Sequence, residues 1–254
     1  MRTFSLKKLT VCLALAGLLA GCGGGSATRR PAVESAERQF TAPAEGDLIA
    51  IFTTSLGEIR AVLYPDVAPM AVENFVGLAR TGYYDGTVIW RCEPGFAVQG
   101  GDATGTGSGG STIWNNNPYP LEADASLRHY AGALCAAFAA GGEQEGGNSQ
   151  FYFVAALPNS VNQTVQDELA ANGYTESQIA AYADAGGLPY LDNTDTVFGQ
   201  VYAGMEVVDA MANVETAVDE SGADTFRPTE ENTITIESIE IATYDPAATA
   251  ESAQ

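Results

Sequence analysis

The chain has 254 residues, with 32 acidic side chains against 11 lysines and arginines and a single histidine, for a formal net charge of −21. A surface of that sign repels nucleic-acid phosphates and anionic lipid headgroups, so nucleic-acid binding is disfavoured. One histidine rules out a multi-histidine metal centre, and Cys92, Cys135 and His129 lack the close ligand spacing of a zinc site.

In chain order, "MRTFSLKKLTVCLALAGLLAGC" has a basic start followed by an apolar run from Leu9 to Ala20. That run is short for a membrane span and reads as a secretory signal over residues 1–21. Its end, Leu19-Ala20-Gly21-Cys22, resembles the bacterial lipobox, which implies cleavage before Cys22 and acylation of that residue. Several acyl chains anchor stably where one would not. The expectation is a membrane-tethered envelope protein whose folded part lies outside the cytoplasm. Beyond the signal there is no lysine, and eight arginines face 32 acids, a formal charge of about −24.

Residues 22–46, rich in Gly, Ser, Ala, Pro and charge, predict a lipidated flexible spacer. Structure is expected from 47 to 243. "LIAIFTT" and "EIRAVLYP" read as strands joined through Ser55-Leu56-Gly57. "APMAVENFVGLARTG" reads as a helix with Pro69 in its first turn, an apolar face of Val72, Phe75, Val76 and Ala79, and Gly82 at its end. "TVIWRC", "FAVQGG", "GALCAAF", "QFYFVAA" and "DTVFGQV" are further strands, "MEVVDAMANV" is a second helix, and "NTITIESIEIAT" closes the domain. Many short strands with two helices predict a mostly β fold, a closed or nearly closed barrel capped by helices.

Residues 157–187 interrupt this pattern with two short helices. The first ends near Gly173, and Thr175-Glu176-Ser177-Gln178 carries the start signal of the second. They predict an insertion lying outside the barrel, replaceable by a short loop without unfolding the domain. The tail from 244 to 254 reads as disordered. Cys92 and Cys135 both sit in apolar stretches, and the sequence leaves open whether they pair.

No G-x-S-x-G elbow is present. "GTGSGG" at 105–110 matches a dinucleotide-binding pattern as text, but it runs into "STIWNNNPYP", which cannot open the helix that would hold a pyrophosphate. A glycine-rich loop packed near a site is the better reading. The unusual stretch is "VIWRCEPGFAVQGGD" at 88–102, where Arg91 and Gln99 sit among residues with a strand's apolar character.

Four blocks in order resemble one family, the cyclophilin-type peptidyl-prolyl isomerases: "TSLGEIRAVLYPDVAPMAVENFVGLARTGYYDG", "RCEPGFAVQGGDATGTGSGG", "GNSQFYFV" and "LDNTDTVFGQVYAGMEVVD". The resemblance spans about Leu48 to Ile241 and implies an eight-stranded antiparallel barrel with a helix closing each end. It implies a cofactor-free isomerase, monomeric, acting on proline-containing segments of exported proteins. Arg91 occupies the position of the arginine that hydrogen-bonds the prolyl nitrogen. Gln99 matches the glutamine that bonds the substrate backbone, and Phe96 and Tyr152 match aromatic walls of the proline pocket. Leu191, Gln150, Ala137, Phe138, Tyr190 and Asp195 fall at further substrate-contacting positions, whereas His129 lies outside the pocket and reads as structural.

The chain departs from the family at several of these places. Trp90 replaces a histidine, Ala97 a methionine, Tyr152 a phenylalanine, Phe138 an asparagine and Asp195 a histidine, and the loop before Gln150 is longer. Tyr190 stands where cyclosporin-sensitive members carry tryptophan, which implies weak cyclosporin binding. These changes keep a second reading open, a noncatalytic module or chaperone that grips proline segments. Retention of Arg91 with Gln99 points to the enzyme.

Overall fold

The computed structural model describes residues 30, 32–139 and 146–247. The expected signal, Cys22, most of the first half of the spacer, residues 140–145 and the last residues of the tail lie outside the described residues.

Strands β1 (Leu48–Thr54) and β2 (Gly57–Leu63) form the expected hairpin, in register from Ile49 opposite Val62 to Thr54 opposite Gly57. Helix α1 (Pro69–Arg80) follows. Its N-cap residue, Ala68, has no side chain to offer, so Glu122 reaches in from a distant loop to accept from the Met70 and Ala71 amides at 3.0 and 2.9 Å. Strands β3 (Val88–Ile89), β4 (Arg91–Glu93), β5 (Ala97–Gly100), β6 (Ala133–Ala139) and β7 (Gly146–Val154) come next. Helices α2 (Gln163–Ala171) and α3 (Glu176–Ala185) precede β8 (Thr196–Ala203), α4 (Met205–Ala212), β9 (Thr216–Val218), β10 (Asp224–Pro228) and β11 (Ile234–Thr243).

Nine strands pair in the order β3-β11-β1-β2-β8-β6-β7-β5-β4, each pair antiparallel. The two ends of that order, β3 and β4, are consecutive pieces of one chain path divided at Trp90, whose amide donates to Gln99 O at 3.0 Å. The sheet therefore closes on itself. Counted by path it is the expected eight-stranded barrel, with one strand broken in two. Inside, Phe52, Phe75, Phe151 and Phe153 meet at centroid separations of 5.1–5.8 Å, joined by apolar faces of α1 and α4. A second apolar cluster, including Ala97, Cys135, Tyr152, Val154 and Val197, lies on the other side of the strands.

Two expectations need correction. The segment just before the barrel is not free spacer: Arg38–Phe40 forms a helical turn, and Gln39 is buried, exchanging hydrogen bonds with the Arg128 backbone and donating from Nε2 to Gln200 Oε1. Polar composition suggested solvent there, but a single glutamine with complementary partners is enough to dock the turn. The tail also starts packed, since Tyr244 donates its amide to Asp47 O and meets the Tyr202 ring at 5.8 Å. The inserted helices pack outside the barrel, with the N-cap at Thr175 as expected, and they carry apolar contacts of their own to it. Val161, Leu169, Ala181 and Tyr182 bury a third apolar cluster against Tyr130 and Phe40. The β9–β10 hairpin was not foreseen, because its sequence is short and polar.

Candidate active site

The pleat resolves the odd composition of residues 88–102. Across β4, β5, β7 and β6, Arg91 lies opposite Gln99, Gln99 opposite Tyr152, and Tyr152 opposite Cys135. The neighbouring row, Cys92, Val98, Phe153 and Leu134, faces the barrel interior. Alternate side chains point to opposite faces, so one row builds the core and the other builds a site. Cys92 and Cys135 fall in different rows for the same reason, and both are free and buried.

The outer row opens into a cleft of about 300 Å³. Arg91, Phe96, Gln99, Ala137, Phe138, Gln150, Tyr152, Leu191 and Asp195 all line it, although they come from four separate stretches of chain. Tyr190 does not. It stands on a ridge beside the cleft, 65 % exposed. Trp90, Gly107 and Asn148 complete the lining.

At the mouth, Arg91 Nη2 donates to Glu93 Oε2 at 2.5 Å, and the guanidinium carbon sits 4.8 Å from the centre of the Phe96 ring. Gln99 Nε2 donates to Gln150 Oε1 at 3.0 Å, and Gln150 Nε2 donates to the carbonyls of Gly107 and Gly109. Those carbonyls belong to the glycine-rich loop, which is organised by a residue that motif reading passed over. Asp102 is fully buried, and its carboxylate accepts from the amides of Thr104, Thr106, Gly107 and Gly109. Burial alone would raise its pKa, but these amides, led by Thr104, hold it below the usual aspartate value. Gly107 has φ of +83°, and a Cβ there would meet the Trp90 ring at 2.9 Å. Only glycine fits that close approach. In the sequence Asp102 is only an acid two residues past Gly100, with no local mark of its burial.

The far wall is polar where the residue types suggested a plain aromatic pocket. Tyr152 OH donates to Asp195 Oδ2 at 2.7 Å. Burial pushes the Asp195 carboxyl above the ordinary aspartate value, with the Tyr152 hydroxyl opposing the shift, and burial pushes the Tyr152 phenol well up. Behind this wall, the His129 ring lies nearly parallel to Tyr152, with centroids 6.4 Å apart. Asp192 accepts from the His129 amide and Nδ1 at 3.0 and 2.8 Å, and from the hydroxyls of Tyr174 and Tyr182 at 2.8 Å each. The inserted helices thus supply two of the four donors that fix the support of the pocket wall.

Residues 49–241 match the family model described as cyclophilin type peptidyl-prolyl cis-trans isomerase/CLD. The chain is a cyclophilin-type peptidyl-prolyl cis-trans isomerase. A Staphylococcus saprophyticus protein provisionally named a peptidyl-prolyl cis-trans isomerase is 39% identical over 191 residues, covering 75% of this chain and 90% of that one. A Streptococcus pyogenes protein, provisionally named a bifunctional phosphatase/peptidyl-prolyl cis-trans isomerase, is 40% identical over 190 residues, 74% of this chain. The cyclophilin spans only 37% of that longer relative. Among solved structures, a Cryptosporidium parvum cyclophilin type isomerase superposes with a TM-score of 0.58 at 24% identity, covering 78% of this chain and 99% of its own, which speaks to fold alone. The same isomerase in the presence of the dipeptide Ala-Pro gives 0.57 at 25% identity, covering 77% and 99%.

This cyclophilin has the barrel of its family and a cleft with one polar wall. Ala97 leaves one part of the lining small, and the Tyr152–Asp195 pair brings a carboxylate to the cleft.

Proposed function

We propose that this cyclophilin accelerates Xaa-Pro rotation in exported proteins, with Arg91 as the group that recognises the twisted amide. Amide resonance sets a barrier of about 20 kcal/mol, so uncatalysed exchange takes tens of seconds or longer. Catalysis needs no covalent step, only a surface that fits the twisted amide better than either planar form. Twisting localises the lone pair on the prolyl nitrogen, which then accepts a hydrogen bond. The observation that carries the reading is the setting of Arg91: Nη2 is engaged by Glu93 and the guanidinium is seated over Phe96, while among the described residues nothing accepts from Nε–H or Nη1–H. Gln99, braced by Gln150, is placed to bond the substrate backbone, and Phe96, Tyr152 and Leu191 offer the apolar walls for the ring. The test is isomer exchange of an Ala-Pro peptide followed by NMR with the wild-type protein and Arg91→Ala. Equal rates for the two would overturn the donor role.

The same proposal places the enzyme on a membrane through acylated Cys22, its domain outside the cytoplasm. The support is the order of basic start, apolar run and Leu19-Ala20-Gly21-Cys22. Cys22→Ser should leave an unlipidated precursor that is not matured normally. Unchanged cleavage at the Gly21–Cys22 bond, with no acyl mass on the wild type, would sink the anchor.

A further inference from the structure

The segment from Pro189 to Asp195 has two sides. On one, Leu191 and Asp195 wall the proline cleft. On the other, it meets α2 of the insertion to form a second groove of about 520 Å³, lined by Val165, Leu169, Tyr174, Pro189, Tyr190 and Asn193. Tyr190 joins the two. It is an exposed aromatic that lines the groove while the next residue, Leu191, lines the cleft, so it stands between the two.

The groove is built rather than incidental. Tyr174 is pinned by its hydroxyl to Asp192 Oδ2 at 2.8 Å and covered by Arg128, whose guanidinium carbon lies 4.3 Å from the ring centre. The turn itself is tied by Leu191 N to Leu188 O and Thr194 N to Leu191 O, both 2.9 Å. Asn193 adopts φ of +68°, a conformation asparagine tolerates. Walls held this way lose little freedom when something binds. Their chemistry is apolar and aromatic, with amides at the rim and Glu168 as the only charged residue. Such a surface takes an apolar or aromatic side chain on an extended strand, with amide side chains to meet the strand's backbone.

The geometry points to an extension subsite: α2 and the 189–193 turn receive an apolar or aromatic residue of the same client strand whose Xaa-Pro bond lies at Arg91. The occupant is the client because chain neighbours line the two sites, Tyr190 the groove and Leu191 the cleft, so a strand bound at Arg91 has the groove beside it across a single residue. This rests on the isomerase reading and gives the insertion a purpose, selecting unfolded segments in which a proline has an apolar neighbour at a set distance.

The test compares kcat/KM for a short Ala-Pro tetrapeptide with a series of longer peptides. Each longer peptide carries one Phe at a different position from two to eight residues on either side of the proline, against Ser at the same place. In one register Phe should raise kcat/KM about tenfold over Ser, as expected for seating one large apolar side chain. Val165→Gln should remove that gain while leaving the tetrapeptide rate within about twofold. A second readout guards against a damaged fold: the long Phe peptide should shift the side-chain amide resonances of Asn172 and Asn193 in the wild-type protein. No favoured register, a gain that survives Val165→Gln, or peptide shifts confined to the cleft would each overturn the subsite. If the wild-type protein fails on the tetrapeptide itself, the isomerase reading falls instead.

Discussion

Arg91 and Glu93 leave the same short strand two residues apart, on one face, and meet in an ion pair of 2.5 Å. With the Phe96 ring 4.8 Å from the guanidinium carbon, a long flexible side chain is held from two directions before substrate arrives. The ordering that a donor must undergo to recognise a transient geometry is largely completed by the fold.

Arg91→Ala should therefore lower kcat/KM on an Ala-Pro peptide by about 10²–10³, the usual cost of removing one preorganised donor. Arg91→Lys should recover little, because an ammonium is a mobile point donor without the planar fork. Stability should change by no more than about 1 kcal/mol, since the pair is partly exposed. Peptide exchange by NMR and thermal melts of the same samples separate the two effects.

Glu93→Ala tests the positioning separately. The guanidinium stays, but it loses its tether, and drift of about an ångström can cost up to about 10² in rate. The expected pattern is a several-fold or larger fall in kcat with KM and Tm nearly unchanged, and partial rescue by Glu93→Gln, which retains an acceptor. An unaltered kcat would show that Phe96 alone holds Arg91.

Asp195 predicts a pH dependence of stability. Burial raises its folded-state pKa above the ordinary value of 3.8, so the native state binds this proton more tightly than the unfolded chain does. The resulting stability is fully present below about pH 3.8 and is lost as pH rises through the folded value. At neutral pH the ionised carboxylate is a net cost. Asp195→Asn, which still accepts from Tyr152, should melt higher than wild type at pH 7, and the advantage should vanish near pH 3.5. Melting curves across that range decide it; a constant difference would assign the effect to something other than ionisation.

Asp192 is the opposite case. Burial would raise its pKa, but hydrogen bonds from His129 and the attraction of nearby groups hold it below the usual range, so its stabilisation is present above about pH 3.8 and lost on acidification through the lower folded value. Asp192→Ala strands His129 Nδ1 and two tyrosine hydroxyls in a buried site, at a cost of about 3–5 kcal/mol. That corresponds to a Tm fall of roughly 10 °C for a domain of this size. Replacing residues 160–187 by a Gly/Ser linker should be at least as damaging, since it removes Tyr174 and Tyr182 and uncovers Tyr130. A linker variant that melts like wild type would show that the insertion is dispensable after all.

How much of this was legible beforehand follows from where each signal sits. The barrel strands, α1 and the Thr175 cap were readable because alternation, apolar faces and caps are written within a few neighbouring residues. The cleft lining was readable from the resemblance, block by block, with Tyr190 the exception. Glu93 and Asp102 were passed over, since an acid in a loop or strand carries no local mark of whether it ends in solvent or against an arginine or a ring of amides.

By itself the sequence determined the mostly β architecture, the family, and Arg91 with Gln99 as the pair to explain, because these rest on local periodicity and on ordered blocks of residues. Only the tertiary structure decided which contacts join distant positions. It closed the barrel through one strand broken at Trp90, set Cys92 and Cys135 on opposite faces, and docked Gln39 against Gln200, 161 positions away. It also gathered His129, Tyr174 and Tyr182 around Asp192, across 63 positions at the widest, and so bound the insertion to the pocket wall. The physical reason is register. Which residues meet across a sheet depends on how every intervening strand is paired, and no short window of sequence contains that information.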